Sequence, residues 1–286
     1  MMTVGFIGSG KAGTSLCYYF KEKGLKISGI YNRDLIRGKS NAEKIDVTFY
    51  HELDGLILNS DIIILSISDS AIESFSSELD KFNISNKIVG HLSGVYSHDI
   101  IKCNCKGKFS LHPIQTMIGE KSDFDKLSQC YFSLEGDLYG IEAARQILSK
   151  IGNRYIELNK ENKPIYHAAA CIASNYLVGL LYNSYKLYES IGITNEDILN
   201  IIKSLSTATL NNFIQNPKNA LTGPLAREDY KTLQIHLANI TGELKDNYIS
   251  FLKIMDIFIK DFSDENKIKR YYDFINQLRR DVNNNE

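Results

Sequence analysis

The chain has 286 residues, enough to bury two cores, and a formal net charge of −1 from 33 basic and 34 acidic side chains. That balance excludes partners held by general electrostatic attraction, so no nucleic acid and no anionic membrane surface is expected. Five cysteines, an odd number, fit a reduced, cytoplasmic protein. Cys103 and Cys105 form a C-x-C with no second ligand pair at metal spacing, so no metal is expected. No signal peptide is expected from the N-terminal pattern, and no apolar run reaches bilayer length. Residues 168–182 come nearest, interrupted by Ser174 and Asn175.

Residues 3–33 read as strand, glycine turn, helix and strand. The apolar run Val4 to Ile7 is a short buried strand, and Gly8, Gly10 and Gly13 follow it as G-x-G-x-x-G. Gly8 permits the tight turn, Gly10 lets a phosphate approach the backbone, and Gly13 lets the helix pack on the strand. The helix starts near Lys11 and ends near Gly24. Its unpaired N–H groups and positive dipole end suit a pyrophosphate, so Ser9, Lys11 and Ala12 join the glycines as cofactor contacts. A second strand, Ile27 to Tyr31, ends in Asn32-Arg33-Asp34, with Arg37 and Lys39 beyond. An amide followed by a cation favours the 2′-phosphate of NADP, with NAD open if a register shift makes Asp34 the ribose acid. Alternatively, Arg33 is a solvated loop charge.

A polar helix at 35–44, a strand at 47–50 and a small helix at 52–58 precede the apolar strand Ile62 to Leu65. Ser66 and Ser68 emerge at its carboxyl end, as cofactor contacts or as helix caps. Strands at 87–90 and 108–111 end in His91-Leu92-Ser93-Gly94 and His112-Pro113. Both histidines therefore fall where an open α/β sheet keeps its ligand crevice, and imidazole moves protons near neutral pH. His91 is assigned to cofactor contact, His112 and Ser93 to the reacting site; each could instead be a satisfied turn residue. His51, His98 and His236 read as surface residues. A last strand–helix–strand unit covers 131–134, 139–151 and 155–158, where the Rossmann domain, 1–158, closes.

Residues 159–286 read as a second, helical domain: helices at 163–190, 194–205, 207–215, 227–238, 241–261 and 264–280, with Asn195 and Ser263 as starts and a frayed end at 281–286. In the first helix, His167, Cys171, Ser174 and Asn175 share one face at 3.6 residues per turn. Such a polar stripe needs partners, in other helices or in a substrate; His167 and Asn175 are assigned to substrate and Cys171 to packing. In LTGPLARED, residues 221–229, Arg227 opens a helix against its dipole, which suits an anion clamp, unless it simply pairs with Glu228 or Asp229.

The segments GFIGSGKAGTSL, YNR, HLSG, SLHPIQT, YHAAACIASNYLV and LTGPLARED together resemble a bacterial oxidoreductase-like family that joins an N-terminal Rossmann domain to a C-terminal helical domain. More distantly the chain looks like pyrroline-5-carboxylate reductase and the 6-phosphogluconate and 3-hydroxyacid dehydrogenases. The resemblance implies a doubly wound parallel sheet plus an all-α domain, NADP-linked hydride transfer, an interdomain site and a homodimer built through the helical domain. The hydroxyacid enzymes use a helical lysine with asparagine four residues on; here Asn175 fits the asparagine and Cys171 stands at the lysine. The expected function is an NADP-dependent oxidoreductase acting on a small carbonyl, imine or hydroxyl substrate, acidic in character if Arg227 binds it. Its alternative is a non-catalytic NADP(H)-binding sensor.

Overall fold

A computed structural model describes residues 2–283. The first unit is built on eight strands: β1 (Thr3–Ile7), β2 (Lys26–Tyr31), β3 (Phe49–Tyr50), β4 (Ile62–Leu65), β5 (Ile88–His91), β6 (Gly107–Pro113), β7 (Phe132–Gly136) and β8 (Tyr155–Glu157). Their spatial order is 3-2-1-4-5-6-7-8. The helices between them are α1 (Lys11–Glu22), α2 (Leu35–Ile45), α3 (Leu53–Leu58), α4 (Asp69–Glu78), α5 (Asp123–Gln129) and α6 (Leu138–Ile151). After β8 comes α7 (Lys163–Cys171).

The apolar run of β4 shows why the sheet is covered on both faces. Ile62 and Ile64 belong to one buried core with Val4 and Phe6, while Ile63 and Leu65 belong to a second with Ile7 and Val89. Successive side chains of a strand point to opposite faces, so a strand in the middle of a doubly wound sheet must be apolar throughout. All pairings are parallel except β6 with β7, where His112 lies opposite Ser133.

That reversal is made by the segment carrying α5, which a carboxylate ties down. Asp123 is fully buried, and its Oδ2 accepts from Ser15 Oγ of α1 (2.7 Å) and from the amides of Ile118 and Gly119 (2.9 Å each). The loop so held lies over the start of α1, since a Cβ on Gly119 would sit 3.1 Å from the Lys11 Cα. Burial by itself would push the Asp123 carboxyl up; the Ser15 hydroxyl, the two amides and Lys126 outweigh it and hold it down at about 2.

The chain divides into two compact units, Met1–Asn175 and Tyr176–Glu286. The second contains α8 (Leu177–Ser190), α9 (Asn195–Gln215), α10 (Gly223–Ala226), α11 (Tyr230–Asn239), α12 (Glu243–Ile254), α13 (Asp256–Phe262) and α14 (Glu265–Asn283). Its core gathers Leu233, Ile249, Leu252, Tyr271 and Phe274, and the Tyr271 hydroxyl donates to the Leu252 carbonyl at 2.6 Å.

Several boundaries differ from the sequence reading. The helix expected at 163–190 is interrupted by a π-helical turn, Ile172–Tyr176, which carries an extra residue per turn. The 3.6-residue projection that placed Ser174 and Asn175 beside His167 therefore does not hold beyond Cys171. The helices expected at 194–205 and 207–215 are one, because Ser206 Oγ bonds back to the Ile202 carbonyl (2.6 Å) and is tolerated inside it. The stretch 241–261 is two helices meeting at Met255. Thr194 and Asp264, neighbours of the expected starts, supply the caps to Asp197 N and Lys267 N. Helix α14 continues to Asn283; residues 284–286 of the expected frayed end lie outside the described residues. Finally, the helical stretch Lys160–Ser190 is long and apolar enough by composition to cross a membrane, with a mean hydropathy of 1.2. Ser174 and Asn175 break the apolar run without removing the apolar character of the stretch.

Because Asp123 is deprotonated more easily folded than unfolded, its contribution is present above its unfolded value of about 4 and is lost as pH falls towards about 2. Asp123→Asn is expected to lower unfolding stability by about 2 kcal/mol at pH 7, with the gap closing on acidification. Equal thermal midpoints at pH 7 would show that the carboxylate does not hold this loop.

Candidate functional site

The turn after β1 is shaped by Ser66 at the end of β4. Gly8 has φ +98°, and a Cβ there would meet the Ser66 carbonyl at 2.6 Å. A Cβ on Gly13 would strike Ser66 Oγ at 2.3 Å, while that hydroxyl donates to the Gly8 carbonyl at 2.7 Å. Gly10 differs: φ is −69°, and a Cβ would find only the Ser66 carbonyl at 3.9 Å. That is an ordinary van der Waals contact, so a side chain there would clash with nothing in the protein. Gly10 caps α1 with no side-chain bond and no acidic residue in the first turn, so the helix presents bare N–H groups there. Ser9 Oγ is buried and has no partner among the described residues, and Asn41 Nδ2 fixes the Ser9 carbonyl at 2.7 Å. These features form one wall of a cleft of about 220 Å³, whose other walls include Asn32, Arg33, Arg37, Ser66 and Ser68. An orphan hydroxyl, an uncapped helix end and an open glycine face fit a dinucleotide pyrophosphate. Lys11, Ala12 and Gly13 begin the helix beside it.

At the end of β2, Asp34 is engaged as the cap of α2: its Oδ1 accepts from Arg37 N at 2.9 Å. Arg33 and Arg37 are exposed and line the same cleft. The expected histidines divide sharply. His91 does not reach the cleft; it is fully buried, with Nε2 on the Ser97 carbonyl (3.0 Å) and Nδ1 on the Ser93 amide (3.1 Å). Burial holds it neutral, down at about 4. Ser93 is likewise engaged: Oγ donates to Asp69 Oδ2 at 2.8 Å and receives the amides of Val95 and Tyr96.

His112 and His167 come together, ring centres 5.9 Å apart. His112 Nδ1 lies 2.7 Å from the Tyr166 hydroxyl, and a Cβ on Gly94 would strike His167 Cδ2 at 2.3 Å and His112 at 3.1 Å. Only glycine lets the turn after β5 pack against both rings. Burial, followed by the nearby Lys163, His167 and His91, pushes the His112 imidazole down to about 4, so it is neutral at pH 7. His167 is half-exposed and touches Cys171 Sγ at 3.8 Å. Asn175 is exposed in the π-helical turn, its Oδ1 2.8 Å from Ser174 Oγ.

Arg227 lies in the second unit and does not open a helix. It caps the C-terminal end of α10, where a cation agrees with the dipole, and α11 starts later with Asp229 as its cap. Glu228, at φ +59°, pairs with Arg270 instead, and Arg227 makes no ion pair among the described residues. Two of the histidines read as surface residues are partly buried: His98 pairs with buried Glu135, which raises its pKa, and His236 Nδ1 meets the Tyr248 hydroxyl at 2.8 Å.

Sequence reasoning missed Lys163, Tyr166 and Asp69. Lys163 is fully buried, with Nζ on Ser110 Oγ (2.7 Å) and on the Ser93 carbonyl (3.2 Å). A usable signal existed: a lysine in the first turn of a helix opposes its dipole, and the K-P pair marks that turn.

The first unit is thus a Rossmann domain with a nicotinamide-dinucleotide cleft. Residues 3–89 match the family model described as "NADP oxidoreductase coenzyme F420-dependent", and residues 130–253 match a "domain of unknown function (DUF2520)". No curated protein matches the chain. Among solved structures, a candidate NADP oxidoreductase from Bacteroides fragilis is 20% identical with a TM-score of 0.72, covering 86% of this chain and 95% of that one. A protein from Thermotoga maritima is 26% identical with a TM-score of 0.71, covering 90% and 98%. A pyrroline-5-carboxylate reductase from Streptococcus pyogenes is 15% identical with a TM-score of 0.63, covering 96% and 98%. The chain therefore shares the fold of NAD(P)-dependent reductases, as the resemblance implied.

Gly10→Ala is expected to leave the thermal midpoint within a few degrees while weakening dinucleotide binding at least about tenfold. Gly8→Ala should instead destabilise the fold by about 1–3 kcal/mol, because its conformation excludes a side chain. Calorimetric titration and thermal unfolding of the two variants separate these outcomes; equal dinucleotide affinity in Gly10→Ala would contradict the placement.

Proposed function

We propose that the chain is an NADP-dependent oxidoreductase that transfers a hydride between the nicotinamide and a small carbonyl, imine or hydroxyl substrate. The observation that carries this reading is the placing of the His112–His167 pair at the carboxyl edge of the same sheet whose β1–α1 turn fits a pyrophosphate. In open α/β sheets that edge is where ligands bind. Bound NADP(H) supplies or accepts the hydride. The chain's own residues handle the proton. His167, half-exposed, exchanges one with solvent and substrate, while neutral His112, braced by Tyr166, orients the substrate oxygen or nitrogen. Asn175 adds a hydrogen bond, and Ser93 shapes the turn.

Arg33 and Arg37 support NADP over NAD, since both residues line the cleft and Asp34, the acid at the end of β2, is engaged as a cap. A homodimer is supported by α8 and α9, which expose Val178 (67%) and Phe213 (52%) on a broad apolar surface. A second copy of the chain would cover it.

The double substitution Arg33→Ala, Arg37→Ala is expected to weaken NADPH binding about 10- to 100-fold with little change for NADH; equal loss for both nucleotides would remove the 2′-phosphate assignment. His167→Gln is expected to lower kcat by about 100-fold, with NADPH affinity within about twofold. Turnover is followed at the reduced-nicotinamide absorbance band across oxo acids and cyclic imines. NADPH binding without turnover of any of them would favour a sensor.

A further inference from the structure

The buried lysine of α7 is a charged group that hydride transfer does not require and that no ion pair explains. Among the described residues no carboxylate bridges to Lys163; its Nζ donates to two neutral oxygens, Ser110 Oγ at 2.7 Å and the Ser93 carbonyl at 3.2 Å. Ser110 Oγ also donates to that carbonyl, at 3.0 Å, so the three groups close a triangle. An isolated buried ammonium is costly, and folding tolerates it only where hydrogen bonds compensate.

The geometry has a clear register. Lys163, Tyr166 and His167 stand at i, i+3 and i+4 of α7 and share one face of the helix. Ser110 and His112 stand two apart on β6 and share one face of the strand. Lys163 meets Ser110, Tyr166 meets His112, and His167 packs on Gly94 and beside His112. Ser93 is held at both of its oxygens, the carbonyl by Lys163 and Ser110 and the hydroxyl by Asp69 and two amides.

We propose that Lys163 is a positioning residue for the histidine pair: its ammonium locks the Ser93 carbonyl and the Ser110 hydroxyl onto the first turn of α7, and so fixes the Gly94 turn against His112 and His167. This inference rests on the reading that the two histidines serve the reaction. Lys163 reaches no solvent and touches no substrate. Its charge acts on His112 of β6 and His91 of β5, helping to keep both neutral, while Glu135 of β7 and Asp69 of α4 favour its protonated form. Burial nevertheless lowers Lys163 to about 8, so the lock loosens in mild alkali.

Two readouts separate this role from the parent reading. In the first, the His112 ring resonances are followed against pH in the full-length protein and in Lys163→Met. The His112 midpoint is expected to lie higher in Lys163→Met, because the lysine charge, second to burial, holds the imidazole down; an unmoved midpoint overturns the electrostatic role. In the second, Ser110→Ala removes the bridging hydroxyl while keeping the charge. Hydrogen exchange at residues 92–96 is expected to quicken about tenfold, and kcat to fall about threefold or more at unchanged NADPH affinity; unchanged exchange overturns the lock. If Lys163→Met does not fold, the Ser110→Ala arm alone decides. If the wild type binds NADPH and reduces nothing, the parent reading fails, yet the titration and exchange arms still report on Lys163.

Discussion

The arrangement around Ser66 sets the terms for the nucleotide half of the molecule. Its carbonyl crowds Gly8, its hydroxyl crowds Gly13, and the same hydroxyl holds the Gly8 carbonyl. Strand β4, turn and helix α1 are thereby brought closer than any pair of side chains would allow. That closeness aims the free N–H groups of α1 into the cleft and leaves Gly10 as the one glycine of the three where a side chain would meet no clash. The strand order places β4 beside β1, so a serine at the end of β4 is the natural group for this contact.

The surroundings of the histidine pair follow a different logic. Their polar groups are largely sequestered: Ser93, His91, Ser110 and Lys163 are buried and bonded among themselves. Such networks are stabilising only when every member is satisfied, and they then hold their surroundings rigidly. What they hold here is a turn with a glycine at its centre, against which two imidazoles rest. A site built this way relies on strands and a helix rather than on loose loops, which suits geometry-sensitive hydride and proton transfer.

Much of the fold was legible from pattern. All eight strands of the first unit were readable as short apolar runs ending in turn residues, and the glycine spacing located the nucleotide turn. Three things were not. The reversal between β6 and β7 depends on Asp123 docking on Ser15, a contact between residues far apart in the chain. The π-helical turn inserts a residue into a periodicity that sequence reading takes as uniform. Position at a strand end did not by itself decide where a histidine points: the pleat turns His112 toward α7 and buries His91 in the sheet. The cation that opposes a helix dipole is Lys163, which opens α7, and not Arg227, whose following helix starts later.

The capping role of Asp34 bears on how cofactor preference could drift in this lineage or be redesigned. Its carboxylate already anchors the beginning of α2, so turning it towards a ribose would unravel that helix start rather than simply retune recognition. On the proposed preference for NADP, a conversion to the unphosphorylated nucleotide would have to bring a new acid in at Asn32, whose amide presently braces the Asp34 carbonyl, and so would have to solve a backbone problem before it could gain a hydrogen bond.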